Sequence, residues 1–481
     1  MRSRFPPAVD AIRLTLCGVV VILTLLGVGC SGDAQSADTS LPHTFGAEDA
    51  ADPSAAADLV RAEPVPVAEA PSWLIERAGD ATTTFEVSER SYNLSARNVG
   101  LTARIRFAGG DEIFEAVFTP ASGLGPDFNG DGCTACHVNN GRQGAPLDGA
   151  YLGIGPVVHV SQAGASEFEA PFALPGYGTR LQTYAVDGGP EAQINILWEY
   201  EEGEYPDGTS YQLRRPIVSV VGREGMLPAG TELSLRIPPQ VAGPGLLEFV
   251  PKADIVAAAD PGDADGDGIS GEVQWILDAD GARRIGRHGW KAESVDLIHQ
   301  SAGALAEDIG ISTSLDPDGD GIELNDEDLA DLAFYVEALA IPAGRNVDDP
   351  TVIAGANLFA SIGCTRCHTP EQRTGKTNTP ELDDLVIYPF TDLLLHDMGP
   401  GLADGRPVYA ASGSEWRTAP LWGVGLLDEV NGHQSLLHDG RARSVEEAIL
   451  WHGGEAQRVT DAFKTLTGEQ RAAIIAFVES R

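Results

Sequence analysis

Two stretches of the sequence, Asn129–Gly144 and Ser361–Pro370, read NGDGCTACHVNNGRQG and SIGCTRCHTP, and both contain the pentad Cys-x-x-Cys-His. The pentad residues are Cys133, Cys136 and His137 in the first copy and Cys364, Cys367 and His368 in the second. The chain has six cysteines, and the two outside the pentads are Cys17 and Cys30 near the N-terminus. This distribution does not fit a disulfide scaffold, so the pentads require an explanation of their own.

Covalent attachment of a c-type haem accounts for every residue of the pentad. The two thiols bond the vinyl groups of the porphyrin, and the following histidine supplies a nitrogen to the iron. A redox-active dithiol would not require the histidine. A zinc site made from two cysteine pairs usually has them closer together in the sequence. The sequence therefore predicts two covalently bound c-type haems, with His137 and His368 as iron ligands.

The composition narrows the class of partner. The chain has 481 residues, 43% of them hydrophobic, and a formal net charge of −39. This length predicts more than one domain, and the apolar content is sufficient for a buried core. The acidic excess argues against binding to nucleic acid or to an anionic lipid surface. It favours cationic partners and supplies carboxylates for hard cations such as calcium.

Residues 1–30 have the features of an export signal. Three arginines precede or border the apolar stretch Leu14–Val28, which is short for a membrane span. The segment ends in LLGVGC, so Cys30 follows small residues as in a bacterial lipoprotein signal, although Gly27 stands where that signal has leucine. We expect an exported protein on the periplasmic side of a bacterial envelope, lipid-anchored if Cys30 is modified. The alternative is a retained N-terminal anchor.

The remaining sequence divides into three regions. Residues 31–80 are rich in Ala, Asp, Ser and Pro, which predicts a disordered tether. Residues 81–345 contain short alternating segments such as TELSLRI between Gly, Pro and Asp turns, which predicts a mixed α+β haem domain with many short strands. Residues 346–481 have helical patterns, including a capping box of Thr467 and Gln470, which predicts an all-α cytochrome c-like domain. The predicted fold class is therefore multidomain.

Two acidic loops have the spacing of calcium-binding loops. The predicted ligands are Asp316, Asp318, Asp320 and Glu327 in DPDGDGIELNDE, and Asp263, Asp265 and Asp267 in DADGDGIS. Glu323 in the middle of the first loop and Gln274 at the closing position of the second depart from the pattern. A third, weaker case before the first pentad consists of Asp127, Asn129 and Asp131. The alternative for all three is a solvated acidic turn.

Longer strings around the pentads resemble the di-haem oxidoreductase family, exported proteins labelled as peroxidases. The strings include GRHGWKA, GCTRCHTP, YPFTDLLLHDMGPGLADG, EWRTAPLWGVGL and LLHDGRARSVEEAILWHGGEA, and together they extend from about Phe85 to Arg481 in the order of the family. The C-terminal part is also similar to the second domain of bacterial di-haem cytochrome c peroxidases. The resemblance implies two haems and oxidoreductase chemistry.

The resemblance to the cytochrome c peroxidases also implies a second axial ligand for the second iron. Three residues after the equivalent of Ile449, those enzymes have the methionine that binds this iron, and the present chain has His452. We therefore expect His452 to be the distal ligand, with Met398 as the alternative. Ligation by two histidines would lower the reduction potential relative to a His/Met haem. His396 and His438 are expected to bond haem propionates or backbone groups instead.

For the first iron, the resemblance implies no distal ligand. The predicted N-terminal haem domain has three histidines outside its pentad, His159, His288 and His299, and each is expected to be structural. Four tryptophans are available to assist electron transfer, although core packing is the simpler expectation for each: Trp290, Trp416, Trp422 and Trp451.

Two functional classes follow from the resemblance. In the first, the protein is an exported di-haem c-type oxidoreductase that transfers electrons between its haems and reduces a small oxidant such as peroxide. In the second, both irons have two protein ligands, and the protein is a non-catalytic electron relay in an iron-handling or respiratory assembly. The expected partner is a redox protein or a small-molecule electron donor. Contact with a membrane is expected only through the N-terminal lipid or anchor.

Overall fold

The computed structural model describes residues 70–75, 83–164, 166–277, 281–317 and 321–481. The predicted export signal and most of the predicted tether lie outside these residues, as do Asp318 and Asp320 of the first acidic loop. Among the described residues, none of the helices has the length and apolar character that crossing a membrane requires.

The helices are short and are distributed along the whole described chain. The α-helices span Ser72–Ile75, Leu101–Phe114, Cys133–Cys136, Pro244–Glu248, Lys252–Ala258, Leu297–Ala304, Asp326–Glu337, Pro350–Ser361, Gly399–Leu402, Leu427–Asn431, Val445–Trp451, Gln457–Thr465 and Gly468–Glu479. A π-helical turn, Leu305–Ile309, continues the helix Leu297–Ala304. The predicted capping box of Thr467 and Gln470 is confirmed at the start of the last helix.

The strands form small sheets of two or three strands. Their bounds are Thr83–Thr84, Asp127–Phe128, Val157–Ser161, Arg180–Leu181, Tyr184–Ala185, Ala192–Glu204, Ser210–Gly222, Glu232–Arg236, Trp275–Leu277, Arg283–Ile285, Ile341–Pro342, Gln372–Arg373, Val386–Ile387, Leu395–Asp397 and Glu415–Arg417. The predicted strand TELSLRI is present as Glu232–Arg236, which pairs antiparallel with Val157–Ser161.

The longest strands form one antiparallel hairpin, Ala192–Glu204 with Ser210–Gly222. Burial alternates along its first half, which packs one face on a core, whereas the second half projects further from that core. Near the tip, the Tyr205 hydroxyl donates to Glu446 at 2.8 Å, and Arg471 pairs with Asp207 at 2.7 Å. The hairpin therefore connects the N-terminal part of the chain to the C-terminal helices.

The predicted fold class is wrong, because the C-terminal part is neither all-α nor separate. Within residues 346–481, Leu395–Asp397 pairs with Glu415–Arg417, and Leu395 also forms a bridge with Glu272. Thr83–Thr84 pairs in parallel with Ile341–Pro342, and the paired residues Thr83 and Ile341 are 258 positions apart in the sequence. Strands of two or three residues form through partners distant in sequence, so local alternation does not predict them.

Two large core clusters also cross the predicted domain boundary. The first combines Phe114 with Trp422, and the second combines Tyr92 and Tyr205 with Phe477. Both clusters contain residues from each side of the boundary predicted after residue 345. The described residues therefore form a mixed helix-and-strand structure in which the two pentads share one body of packed side chains.

Candidate functional site

Both pentads line the same cavity, which has a volume of about 420 Å³. On one side, the first pentad lies with Phe114 and Leu297, which belong to the first core cluster. On the other side, the second pentad lies with Phe359 and Val445 of the second cluster. Corresponding residues of the two pentads, 231 positions apart in the sequence, therefore face a shared interior, which the sequence did not predict.

The first pentad begins with the single helical turn Cys133–Cys136. The backbone at Gly132 passes close to the Ala116 carbonyl, because a Cβ at this glycine would lie 2.3 Å from that oxygen. Burial raises the pKa of each thiol to about 12, so both cysteines are neutral before any reaction. The His137 Nδ1 is 3.3 Å from the Gly141 carbonyl, and burial lowers its pKa to about 4.

The second pentad follows the helix Pro350–Ser361, which Asp349 caps by accepting from the Thr351 amide. The helix ends before Gly363, whose φ of 98° lies in the left-handed region that favours glycine. Cys364 then opens a 3₁₀ turn. The Nδ1–H of His368 donates to the Phe390 carbonyl at 2.9 Å, which fixes the tautomer and leaves Nε2 as the acceptor nitrogen.

His452 lies immediately after the helix Val445–Trp451, which Ser444 caps. Its Nδ1–H donates to the Ala448 carbonyl at 2.6 Å, so its Nε2 is also the acceptor nitrogen. Burial lowers the pKa of His452, which favours the neutral ring that binds metals. Its ring centre is 6.4 Å from that of His368, and both residues line the cavity.

Met398 also lines the second-pentad side, where it is partly buried against the second core cluster. Its amide donates to the Ser414 carbonyl at 3.0 Å. It therefore lies in the same part of the cavity as His452 and remains the alternative ligand.

His396 and His438 lie beside the cavity with well-defined partners. Burial alone would lower the pKa of His396, but hydrogen bonds with Asp392, Cys367 and Glu455 raise it to about 12. Its distances to the two carboxylates are 2.8 Å and 2.7 Å. His438 stacks on Trp416, with ring centres 3.7 Å apart, and burial lowers its pKa to about 4. These partners account for both side chains.

The remaining histidines differ in their access to the cavity. His288 is buried at 5% exposure and lines the cavity, with its Nε2 3.4 Å from a Glu248 oxygen but not in hydrogen-bonding geometry. His159 lies in the strand Val157–Ser161 and His299 in the helix Leu297–Ala304, and neither lines the cavity. Burial lowers the pKa of His159 and of His288.

The helix Leu297–Ala304 supplies a polar residue that sequence reasoning missed. Gln300 and Ser301 face the cavity one turn after Leu297. The Gln300 Oε1 is buried and has no hydrogen-bond partner within the described part of the chain. A glutamine in an amphipathic helix gives no sequence signal, because the same residue is common on a solvated face.

The structure separates the residues of the predicted calcium loops. Carboxylate oxygens of Asp260, Asp263 and Asp265 lie within 4.8 Å of one another, and the sequence prediction had omitted Asp260. Asp267 instead pairs with Arg366, inside the second pentad, at 3.0 Å. This ion pair links the second acidic loop to the second pentad.

The other two acidic loops remain incomplete or have protein partners. In the first loop, Asp316 and Glu327 are described, but the positions between them include undescribed residues. Before the first pentad, Asp127 pairs with Arg223, and Asn129 accepts from the Thr183 amide at 3.1 Å. The Asp131 carbonyl accepts a hydrogen bond from the Phe118 amide at 2.7 Å.

The cavity fits two haem groups by the chemistry of its lining. Each side offers two thiols and an adjacent imidazole, and most other lining side chains are apolar. The His368 and His452 rings also have the separation that one metal ion between them requires. Two metal–nitrogen bonds of about 2 Å and about 1.1 Å from each nitrogen to its ring centre would place the centres about 6.2 Å apart, close to the observed 6.4 Å.

Comparison with known proteins gives one match. A family model described as "Di-haem oxidoreductase, putative peroxidase" matches residues 74–326 and 313–481. No curated protein and no solved structure matches the chain. The two matched segments together include both pentads and His452.

Proposed function

Because the chain belongs to the di-haem oxidoreductase family, we propose that it is an exported c-type cytochrome that reduces a small oxidant such as peroxide. In this proposal the four pentad cysteines bind two haems covalently, and His137 and His368 are the proximal iron ligands. The observation that carries the proposal is the single cavity lined by both pentads. Two redox centres that share one enclosed space can exchange electrons without a diffusing carrier.

The proposed role of the second-pentad side is electron delivery. His452 is the distal ligand there, supported by the 6.4 Å between its ring centre and that of His368. Hydrogen bonds from both Nδ1 atoms to backbone carbonyls hold the two rings in place and increase the basicity of the ligand nitrogens. An iron with two imidazole ligands has no open position for an oxidant, so this side passes electrons on.

The proposed role of the first-pentad side is binding of the oxidant. His288 lines the cavity and lies next to Glu248, whose neighbour Leu247 belongs to the first core cluster. Gln300 and Ser301 offer an amide and a hydroxyl to a small polar molecule. When bound, the haem would supply the iron that donates electrons to the oxidant.

The residues of the chain would orient the oxidant and move its protons. The Gln300 Oε1 can accept a hydrogen bond from a hydroperoxide proton, since it has no other partner in the described chain. The His288 Nε2 can take a proton and return it to a leaving oxygen, with Glu248 stabilising the charged ring. Apolar neighbours such as Leu297 and Leu305 exclude water from these groups.

Export, partners and calcium belong to the same proposal. The signal-like residues 1–30 support a periplasmic location, with lipidation of Cys30 as the means of attachment. The net charge of −39 supports a cationic redox protein as electron donor. The cluster of Asp260, Asp263 and Asp265 supports calcium binding in the second acidic loop. For the first acidic loop, the spacing of its acidic residues in the sequence supports the same proposal.

A second candidate function is electron relay without catalysis. The observation that favours it is His288, an additional imidazole that lines the cavity and whose buried Nε2 forms no hydrogen bond with a described residue, although Glu248 lies 3.4 Å away. If His288 binds the first iron, both irons have two protein ligands. The protein would then exchange electrons with partners but would not bind an oxidant.

The spectrum of the ferric protein separates the two functions. For the oxidoreductase we expect one high-spin and one low-spin haem, carbon monoxide binding to one haem after reduction, and stoichiometric reoxidation by peroxide. Two low-spin haems that ignore carbon monoxide and peroxide would favour the relay. If both haems are low-spin, His288→Leu tests whether His288 is the second ligand of the first iron. The variant should make the first haem high-spin only in that case. His299→Leu, outside the cavity lining, is the matched control.

A further inference from the structure

The cavity lining is positively charged, whereas the protein as a whole is strongly negative. In a chain with a net charge of −39, three guanidinium groups line the cavity: Arg142, Arg287 and Arg417. Asp308 is the one carboxylate in the described lining, and it already pairs with Arg180. The wall therefore carries excess positive charge in a space that is otherwise mostly apolar.

Arg142 is the most enclosed of the three. It follows the first pentad and has 6% exposure, and its Nε is buried without a hydrogen-bond partner in the described chain. Asn431 accepts from its amide at 3.1 Å, and the His433 ring is 3.1 Å from its carbonyl, so its backbone is fixed. Burial lowers the pKa of Arg142 to about 10, and no carboxylate in the described part of the chain pairs with its guanidinium group.

Arg287 and Arg417 bind backbone carbonyls only. Arg287 donates to the Val250 carbonyl at 2.6 Å, and Arg417 donates to the Gly289 carbonyl at 3.1 Å. Burial lowers the pKa of both groups, that of Arg417 to about 10. Among the described residues, neither forms an ion pair. The Arg417 amide also donates to the Trp290 carbonyl at 3.0 Å, where the two parts of the chain meet.

The buried guanidinium group of Arg142 requires an anion, and the half-buried Arg287 and Arg417 add to the positive charge of the same cavity. Removing a charge from water without a counterion is strongly unfavourable, and an arginine does not escape this cost by deprotonating. The planar fork of a guanidinium matches the two oxygens of a carboxylate. Each haem carries two propionate carboxylates, which would bring anions into a cavity that otherwise lacks them.

We propose that Arg142, Arg287 and Arg417 bind the propionate carboxylates of the two haems. The inference rests on the proposed haem content and adds the residues that compensate the charge of the cofactors. Arg142 lies beside the first pentad and acts on the first haem. Arg417 lies in the segment that contacts Trp290, on the side of the second core cluster, and acts on the second.

The test uses the full-length protein with its haems attached and compares Arg142→Gln and Arg417→Gln with the wild type. Loss of a positive charge beside a propionate stabilises ferric haem. We therefore expect Arg142→Gln to lower the potential of the first haem, and Arg417→Gln that of the second. The propionate bending bands in the resonance Raman spectrum should shift with them. Arg142→Lys keeps the charge and should restore most of the potential but not the band position.

Arg215→Gln is the matched control, because Arg215 is exposed on the hairpin and pairs with Glu199. It should change neither potential nor bands. If the wild type holds no haem, the proposed function fails. If the glutamine variants retain two haems with unchanged potentials and bands, this inference alone fails.

If the glutamine variants do not fold, a measurement on the wild-type protein still tests the inference. Haem labelled with ¹³C at the propionate carboxyls should give infrared carboxylate bands typical of ionised groups bound to guanidinium. Bands typical of water-exposed or protonated carboxyls would overturn the inference.

Discussion

The His368 and His452 rings lie with their centres 6.4 Å apart and their planes inclined by 45°. Each ring donates from Nδ1 to a backbone carbonyl, of Phe390 and Ala448 respectively, so both acceptor nitrogens remain available. The two histidines are 84 positions apart in the sequence, and the segment between them supplies further lining residues such as Met398 and Trp416. The arrangement gives a direct test of the ligand of the second haem.

Replacing His452 should change the spectrum of the second haem. His452→Gly should convert this haem from low-spin to high-spin, and added imidazole should restore the low-spin signal. His452→Met should raise its reduction potential, because a thioether favours ferrous iron. Redox titration followed by absorption and electron paramagnetic resonance would measure both changes. His299→Gln, outside the cavity lining, is the control, and an unshifted low-spin signal in His452→Gly would point to Met398 instead.

Replacing both cysteines of one pentad should remove one haem. Cys133→Ala combined with Cys136→Ala should leave one haem per chain after acid–acetone extraction, measured by mass spectrometry and by the pyridine haemochrome assay. The second pentad packs in another core cluster, so its haem should remain. Because both pentads share a cavity, we also expect the double variant to have a lower melting temperature. Unmodified cysteines in the wild type, or zinc bound to them, would contradict the prediction.

The ion pairs of His396 with Asp392 and Glu455 should make the protein less stable at both high and low pH. The folded-state pKa of His396, about 12, exceeds its ordinary value of 6.5, so its contribution is complete below pH 6.5 and is lost as the pH rises. Hydrogen bonds with His396 and Ser270 outweigh burial and lower the pKa of Glu455 from 4.5 to about 2, so its contribution is complete above pH 4.5 and is lost on acidification. Melting temperature against pH would measure both limbs.

A variant of His396 isolates this dependence. His396→Gln should cost about 3 to 5 kcal/mol near neutral pH, because two carboxylates lose their buried cation, and it should flatten the alkaline limb. His438→Gln is the matched control, since burial lowers the pKa of His438 and its titration has the opposite sign. An alkaline limb that His396→Gln leaves unchanged would show that another group titrates there.

Calcium should stabilise the second acidic loop. Three crowded carboxylates, those of Asp260, Asp263 and Asp265, repel one another without a cation. Calcium at a hundredfold excess over its dissociation constant should add about 2.7 kcal/mol, and chelation should lower the melting temperature reversibly. Asp263→Asn should weaken the response, whereas Asp254→Asn, in a helix outside the loop, should not. A melting curve that ignores both chelator and calcium would mean that the loop is a solvated turn.

The sequence by itself identified the family and indicated the residues that we propose hold the haems. Six pentad residues predicted haem, and the longer strings identified the family that the family model confirms. The helix cap at Thr467 was also predictable, because a cap depends on residues three positions apart. These features were predictable because each depends on residues that are close together in the sequence.

Only the tertiary structure decided how these parts are arranged. The prediction of a separate all-α domain failed because strands such as Leu395–Asp397 exist through a distant partner, and cores such as that of Phe114 and Trp422 join both parts of the chain. The shared cavity, the position of Gln300 and the uncompensated charge of Arg142 were invisible for the same reason. Burial, orientation and the distance to a counterion depend on packing between segments far apart in the sequence, and no local pattern encodes them.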